Sequence, residues 1–176
     1  METAKKNILI SGLPGIGKTT LIKKICQELR DRNPVGFYTE EIRLGDLRKG
    51  FQLINLNGNK SILAHVLIKS PYHIGKYKVD IKAFDEFLDS LDLEQHKDSP
   101  IIIDEIGKME CLSGKFVKMI WDILDSDNRV IATISHTDGG IKGKIKQRED
   151  VKLFKMNLDN RDSLLTEILE IVRSSS

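Results

Sequence analysis

The stretch GLPGIGKTT, Gly12–Thr20, constrains the fold more than any other part of the sequence. It directly follows the apolar run Ile8–Ile10 and precedes a segment whose apolar residues recur every three or four positions. The order is therefore a buried strand, a glycine-rich loop and an amphipathic helix. Glycines let a loop curve so that successive N–H groups point at phosphate oxygens, and the helix start adds further free N–H groups. The stretch predicts a phosphate-binding loop.

The same residues fit the spacing G-x-x-x-x-G-K-[ST]. In that pattern Lys18 reaches the β- and γ-phosphates as a point charge, and Thr19 places its hydroxyl on Mg²⁺. We therefore expect a nucleoside triphosphate as ligand and Mg²⁺ as cofactor. The other residues predicted to surround the phosphates are Gly12, Leu13, Pro14, Gly15, Ile16, Gly17 and Thr20.

A second motif consists of three buried isoleucines followed by two acids. Ile101, Ile102 and Ile103 are typical of a central strand, and Asp104 and Glu105 follow at its carboxyl end, where open α/β sheets bind ligands. Beside a phosphate-binding loop, the first acid would hold Mg²⁺, and the second would orient or deprotonate the water that attacks the γ-phosphate. Adjacent side chains on an extended strand diverge, so we expect the two acids to have separate roles. We assign all five residues to the nucleotide-binding site.

Several segments resemble the THEP1-type nucleoside-triphosphatases, a small P-loop family. They are GLPGIGKTT, GFYTEEIR, RKGF, IGKY and especially IIIDEIGKME, which occur in the family's order and cover most of the chain, with the late segment NLDNRD (residues 157–162). The resemblance implies a RecA-like core and Mg²⁺-dependent hydrolysis of ATP, GTP and other triphosphates to diphosphates. It also implies an outlying kinship with nucleotide kinases.

The alternation of apolar strands with amphipathic helices predicts an α/β fold. We expect a P-loop NTPase three-layer α/β/α sandwich, with a mostly parallel sheet covered on both faces. Residues 1–176 are interpreted as one domain, and residues 35–68 as a small antiparallel meander inserted in it. We further expect a turn over residues 45–50, a loop over residues 71–79 and a charged surface segment over residues 142–150.

Two further residues are candidates for contact with the nucleotide. Lys108 either steadies the γ-phosphate or is a surface lysine. Arg161 either stacks on a nucleobase or lies beside Asn160, which would cap the last helix. Polar residues with a possible site role and an equally ordinary structural one are Glu40, Glu41, Arg43, Arg48, Glu110, Thr133, Ser135 and His136.

The composition limits the classes of partner that we expect this chain to bind. A net charge of +2 with no run of like charges argues against nucleic acid and membrane partners. No window approaches 18 consecutive apolar residues, and the two cysteines, Cys26 and Cys111, form no disulfide framework. We therefore expect a cytoplasmic protein, and we assume a monomer.

Two other functions fit the same motifs. A nucleotide or nucleoside kinase shares the phosphate-binding loop but transfers the phosphoryl group to a bound acceptor, for which the meander and the tyrosine-containing loop would form a pocket. A nucleotide-dependent switch would turn over slowly and recruit a partner in its triphosphate state. Product analysis distinguishes these functions from hydrolysis.

Overall fold

The structure of the protein is a computed structural model that describes residues 5–174. Within these residues, nine strands form one continuous sheet, and five α-helices cover it. In chain order the elements are β1 (Asn7–Gly12), α1 (Lys18–Glu28), β2 (Val35–Leu44), β3 (Leu47–Asn55), β4 (Lys60–His65), β5 (His73–Ile74), β6 (Tyr77–Val79), α2 (Ile81–Asp89), β7 (Ile101–Ile106), α3 (Gly114–Asp125), β8 (Val130–Ser135), α4 (Gly140–Lys146), β9 (Val151–Lys155) and α5 (Leu164–Ser174).

The sheet has a parallel half and an antiparallel half. The strand order is β5-β6-β4-β3-β2-β7-β8-β1-β9. The pairs from β2 to β9 are parallel, and the pairs from β2 to β5 are antiparallel. Strand β2 therefore belongs to both halves. The antiparallel half is larger than the expected meander, because the hairpin of β5 and β6 extends it.

Helices pack on both faces of the sheet, which confirms the three-layer architecture. Alternate residues of β1 point to opposite faces, as the period of a strand requires. Ile8 and Ile10 pack in the cluster that contains the apolar residues of α1 and α5. Leu9 packs in the other cluster, with the apolar residues of α2 and α3. Strand β1, buried from Asn7 to Ser11, therefore places the loop that follows it between the two helical layers.

Two sequence predictions are wrong in detail, and a third has one exception. Strand β3 begins at Leu47, so the turn predicted over residues 45–50 is only two residues long, with Gly45 at φ 57°. The loop predicted over residues 71–79 contains the β5–β6 hairpin. The segment predicted over residues 142–150 as charged surface begins inside α4, whose Ile145 is fully buried. Two-residue strands and glycine-rich helices lack the periodicity that sequence patterns depend on.

Within residues 5–174, none of the helices is both long enough and apolar enough to cross a lipid bilayer.

Candidate active site

The phosphate-binding loop joins the end of β1 to the start of α1. Gly15 and Gly17 have φ values of 79° and 112°, a left-handed region that side chains disfavour. Gly17 is also the N-cap of α1, and it carries no side chain to occupy the first N–H groups of the helix. These N–H groups and the positive end of the helix dipole therefore face the loop and favour an anion.

The Lys18 amine lies folded over the same loop. Its Nζ donates hydrogen bonds to the carbonyl oxygens of Gly12 at 2.8 Å and Leu13 at 3.2 Å. The residue is only 8% exposed. A buried cation whose partners are neutral carbonyls keeps its charge available to an anion bound in the loop.

Asp104 receives hydrogen bonds from three elements. Thr19 of α1 donates through its hydroxyl to Oδ2 at 2.8 Å, and Thr133 of β8 donates to Oδ1 at 2.6 Å. The backbone N–H of Thr39 on β2 donates to Oδ2 at 3.4 Å. The side chain is 1% exposed, and this burial raises the pKa of Asp104, although the bonds from Thr133, Thr19 and Thr39 and the charge of Lys18 oppose the rise. The carboxylate is thus fixed against the first turn of α1.

Glu105 lies where β7 departs from regular pairing. The peptide bond between Asp104 and Glu105 is cis, and the register with β8 shifts between Ile103 and Ile106. Because the register shifts here, the alternation expected of a regular strand does not describe this pair of acids. Burial raises the pKa of Glu105, the charge of Asp104 adds to the rise, and the charges of Lys18 and Lys142 oppose it. Glu105 is thus partly buried and lies within the fields of two cations.

A cleft of about 820 Å³ opens beside the phosphate-binding loop. Three segments line it: the loop itself, α4 with the residues before it, and the end of β9 with the residues after it. Leu13, Ile16, Met156 and Leu158 supply apolar surface, and Lys144 supplies charge at the α4 side. A cleft of this size holds a small organic ligand.

Two of the remaining sequence candidates, Lys108 and Arg161, are exposed, whereas His136 lines the cleft. Lys108 is exposed in the segment after β7. Arg161 is exposed, and its Nε lies 3.8 Å from Oδ1 of its neighbour Asp162, so no observed contact joins it to the phosphate-binding loop. Residues 157 and 158 of the same connection do line the cleft. The side chains of Ile101, Ile102 and Ile103 are buried in the core and support the strand that carries Asp104.

The polar residues of the antiparallel half pair mainly with one another. Glu41 accepts hydrogen bonds from both Arg43 and Arg48, and Arg48 also donates to the Tyr77 hydroxyl at 3.1 Å. Glu40 pairs with Lys23 of α1. The two arginines are therefore already engaged in an exposed ion cluster away from Asp104.

Three features of the site could not be assigned from the sequence pattern. Thr39 contacts Asp104 because β2 pairs with β7 in parallel, and that pairing is a tertiary property. Lys142 acts on Glu105 from α4, an element that was not predicted. Glu110 is a candidate in the sequence, but its burial, at 6% exposed, depends on how the chain turns after β7.

The oxygen ligands available to a metal are few. Within residues 5–174 no group of three or more His, Cys, Asp or Glu side chains could hold a metal ion. The Thr19 hydroxyl and the Asp104 carboxylate are in direct contact beside the loop. This donor set fits Mg²⁺, which is typically bound by one or two protein oxygens together with substrate phosphates and water.

Comparison with known protein families gives a match over almost the whole chain. The profile of the family described as NTPase matches residues 7–169. A nucleoside-triphosphatase THEP1 from Thermotoga maritima is 48% identical over 94% of this chain and 95% of its own length. A human protein named cancer-related nucleoside-triphosphatase is 35% identical over 97% of this chain and 98% of its own length.

Solved structures agree with these matches. The crystal structure of THEP1 from the hyperthermophile Aquifex aeolicus superposes with a TM-score of 0.86 at 36% identity, covering 94% of this chain and 98% of that chain. The solution structure of a human cancer-related nucleoside triphosphatase superposes with a TM-score of 0.84 at 32% identity, covering 97% of this chain and 99% of that chain. Sequence and fold therefore point to the same group of proteins.

Proposed function

This chain belongs to the NTPase family of nucleoside-triphosphatases, and on that premise we propose that it hydrolyses nucleoside triphosphates to diphosphate and phosphate in a Mg²⁺-dependent reaction. The observation that carries the proposal is the contact between Thr19 of the phosphate-binding loop and Asp104 of β7. It joins a loop suited to phosphates to an acid suited to a metal. We propose further that ATP, GTP and other triphosphates all serve as substrates.

The loop and its lysine bind the triphosphate. The N–H groups around Gly15 and Gly17 hold phosphate oxygens, and Lys18 exchanges its carbonyl partners for the β- and γ-phosphates. Thr19 and Asp104 are the residues that would hold Mg²⁺. An ion held by these two residues would supply positive charge against the charge of the triphosphate. Thr133 and Thr39 hold the Asp104 carboxylate in position for this role.

Glu105 is the proposed general base. It orients a water molecule against the γ-phosphate and accepts its proton as the bond to the β–γ bridging oxygen breaks. The water oxygen is thus transferred to the released phosphate, and the diphosphate leaves with the bridging oxygen. Burial and the neighbouring Asp104 raise the pKa of Glu105, which makes it a stronger base than an exposed glutamate.

The cleft beside the loop is the proposed nucleoside site. Its apolar residues, among them Leu13, Met156 and Leu158, offer surface on which any base can stack. Such surface distinguishes bases less than paired donors and acceptors do, which supports a broad substrate range. The roles of Lys108 and Arg161 as nucleotide contacts remain proposals, and both exposed residues would have to approach the ligand as it binds.

We also propose that the protein acts as a single domain in a reducing, cytoplasmic compartment. Cys26 and Cys111 are both free thiols, in keeping with such a compartment. The net charge of +2 supports small nucleotides rather than nucleic acids or membranes as partners. A monomer is the simplest assembly with the cleft open to substrate.

Product analysis in ¹⁸O-water tests the proposed reaction. With Mg²⁺ and a triphosphate alone, diphosphate and phosphate should appear in equal amounts over many turnovers, and the phosphate should carry the label. Omitting Mg²⁺ should abolish the reaction, and exchanging ATP for GTP should change the rate little. Negligible phosphate release, with rapid γ-phosphoryl transfer to an added nucleoside or monophosphate, would establish a kinase instead.

A further inference from the structure

Glu110 is a buried carboxyl that the proposed mechanism leaves without a role. It opens the short 3₁₀ turn Glu110–Leu112 that follows β7, and it is 6% exposed. A buried carboxyl is costly unless it is neutral or well bonded, so its presence behind the proposed base needs a physical reason.

Gly107 lies between Glu110 and Glu105. A Cβ atom added to this glycine would lie 2.7 Å from Glu110 Oε2 and 3.4 Å from Glu105 Oε1. The two carboxylate oxygens are therefore no more than about 6.1 Å apart, since both distances start from the same point. The absence of a side chain at residue 107 is what lets both carboxyls approach the same peptide.

The backbone of this segment faces the Glu110 carboxyl. The N–H groups of Gly107 and of Glu110 itself lower the pKa of that carboxyl, against the effect of its burial. The Gly107 carbonyl in turn accepts a hydrogen bond from the Cys111 N–H at 3.1 Å. The residues that follow Glu105 thus fold around Glu110, and a displacement of the Glu110 carboxyl would also displace Gly107.

Burial and the neighbouring charges both favour the neutral form of the Glu110 carboxyl. Burial is the largest cause, followed by the negative charges of Glu105 and Asp104 on β7, and together they raise the pKa of Glu110 to about 8. Lys142 of α4 acts on Glu105 and on Cys111, the other titratable groups of this region. An ionised Glu110 would place a third negative charge beside the two acids of the site.

We propose that Glu110 is a positioning residue: in its neutral form it holds Glu105, through Gly107, where the attacking water is activated. Loss of its proton adds a negative charge within about 6.1 Å of Glu105 Oε1, and the repulsion displaces that carboxylate. Hydrolysis should therefore decline as Glu110 ionises. The inference rests on the proposed function, because it takes Glu105 to be the base.

Steady-state kinetics of Glu110 variants between pH 6 and 10 test the proposal. Glu110→Gln resembles the neutral acid, so its kcat at pH 7 should stay within about threefold of the wild type. Wild-type kcat should fall above about pH 8, and Glu110→Gln should lack that decline. Glu110→Ala should lower kcat at pH 7 by about tenfold or more with little change in KM, since substrate binding depends on the loop. The matched control is Glu149→Gln, an exposed site whose profile should follow the wild type.

Two outcomes would overturn the positioning role. One is an alkaline decline in Glu110→Gln that coincides with that of the wild type. The other is a folded Glu110→Ala enzyme with unchanged kcat. If Glu110→Ala does not fold, the pH profile of Glu110→Gln decides alone. Glu105→Gln, measured alongside, separates the two proposals: if it retains full hydrolysis, the proposed base is wrong, whereas its inactivity with normal Glu110 variants refutes only the positioning role.

Discussion

The hydroxyl of Thr19 donates a hydrogen bond to Oδ2 of Asp104 at 2.8 Å, which joins the first turn of α1 to the end of β7. Thr133 holds the other carboxylate oxygen at 2.6 Å. The orientation of Asp104 is therefore set by the protein alone, and a metal ion held there would meet a preorganised oxygen ligand.

Lys18→Ala tests whether the loop is the substrate site. Lys18 supplies the buried charge over the loop, so its removal should lower kcat/KM by about 100-fold or more and weaken triphosphate affinity. Steady-state kinetics and titration with a fluorescent triphosphate analogue measure the two effects. Lys24→Ala is the matched control, because Lys24 lies on the exposed face of the same helix. Near wild-type hydrolysis by Lys18→Ala would place the reaction elsewhere.

Glu105→Gln and Asp104→Asn should separate chemistry from metal binding. Glu105→Gln keeps the shape but loses the base, so it should bind Mg²⁺-triphosphate normally and cleave it about 100-fold or more slowly. Asp104→Asn should instead raise the Mg²⁺ concentration needed for half-maximal activity. Mg²⁺ titrations of binding and of single-turnover cleavage measure both. Equal defects in metal affinity in the two variants would contradict the division of roles.

Thr133→Val tests the support of Asp104. It removes the hydroxyl that bonds Oδ1 inside the protein, and leaving a buried carboxylate oxygen unsatisfied costs about 1–3 kcal/mol. We expect a lower free energy of unfolding and a weaker response to Mg²⁺. Thr133→Ser keeps the hydroxyl and should restore the Mg²⁺ response; if both variants respond to Mg²⁺ as the wild type does, Thr133 does not position Asp104. Urea unfolding and activity against Mg²⁺ concentration are the measurements.

Glu110 should also make folding stability depend on pH. Its pKa is raised in the folded protein from the ordinary value of 4.5 to about 8, so the folded state holds a proton that the unfolded chain releases. The stabilisation is complete below pH 4.5 and is lost as the pH rises to about 8, at up to about 1.4 kcal/mol for each pH unit. Glu110→Gln should therefore gain Tm relative to the wild type across this window and hold a constant advantage above pH 8. Calorimetry from pH 5 to 9 would show it, and a constant difference throughout would contradict a raised pKa.

The parallel half of the fold was predictable because its strands are buried on both faces. The segment Ile101–Ile103 is apolar at every position, which is typical of a buried parallel strand. A glycine-rich loop followed by Lys18 is typical of a phosphate-binding site. The site was predictable to the same extent, since Asp104 follows such a strand directly. Both features depend only on residues that are neighbours along the chain.

The features that were not predicted depend on residues that are close in space but distant in the sequence. Thr39 meets Asp104 through the β2–β7 pairing, and Glu110 is buried only because the chain turns back after β7. Helix α4 has glycines at residues 140 and 143 and a single buried residue, Ile145, so it carries almost no periodic pattern. No short sequence pattern indicates any of these features, although each of them affects the chemistry of the site.

Strand β2 pairs with both halves of the sheet, and its Thr39 donates to Asp104 through the backbone N–H and through the hydroxyl. The antiparallel half is thus joined by hydrogen bonds to Asp104, the proposed metal ligand. A molecule that bound that half and displaced Thr39 would therefore be expected to change the affinity for Mg²⁺-triphosphate as well. By thermodynamic reciprocity, Mg²⁺-triphosphate must then alter the affinity for that molecule by the same factor.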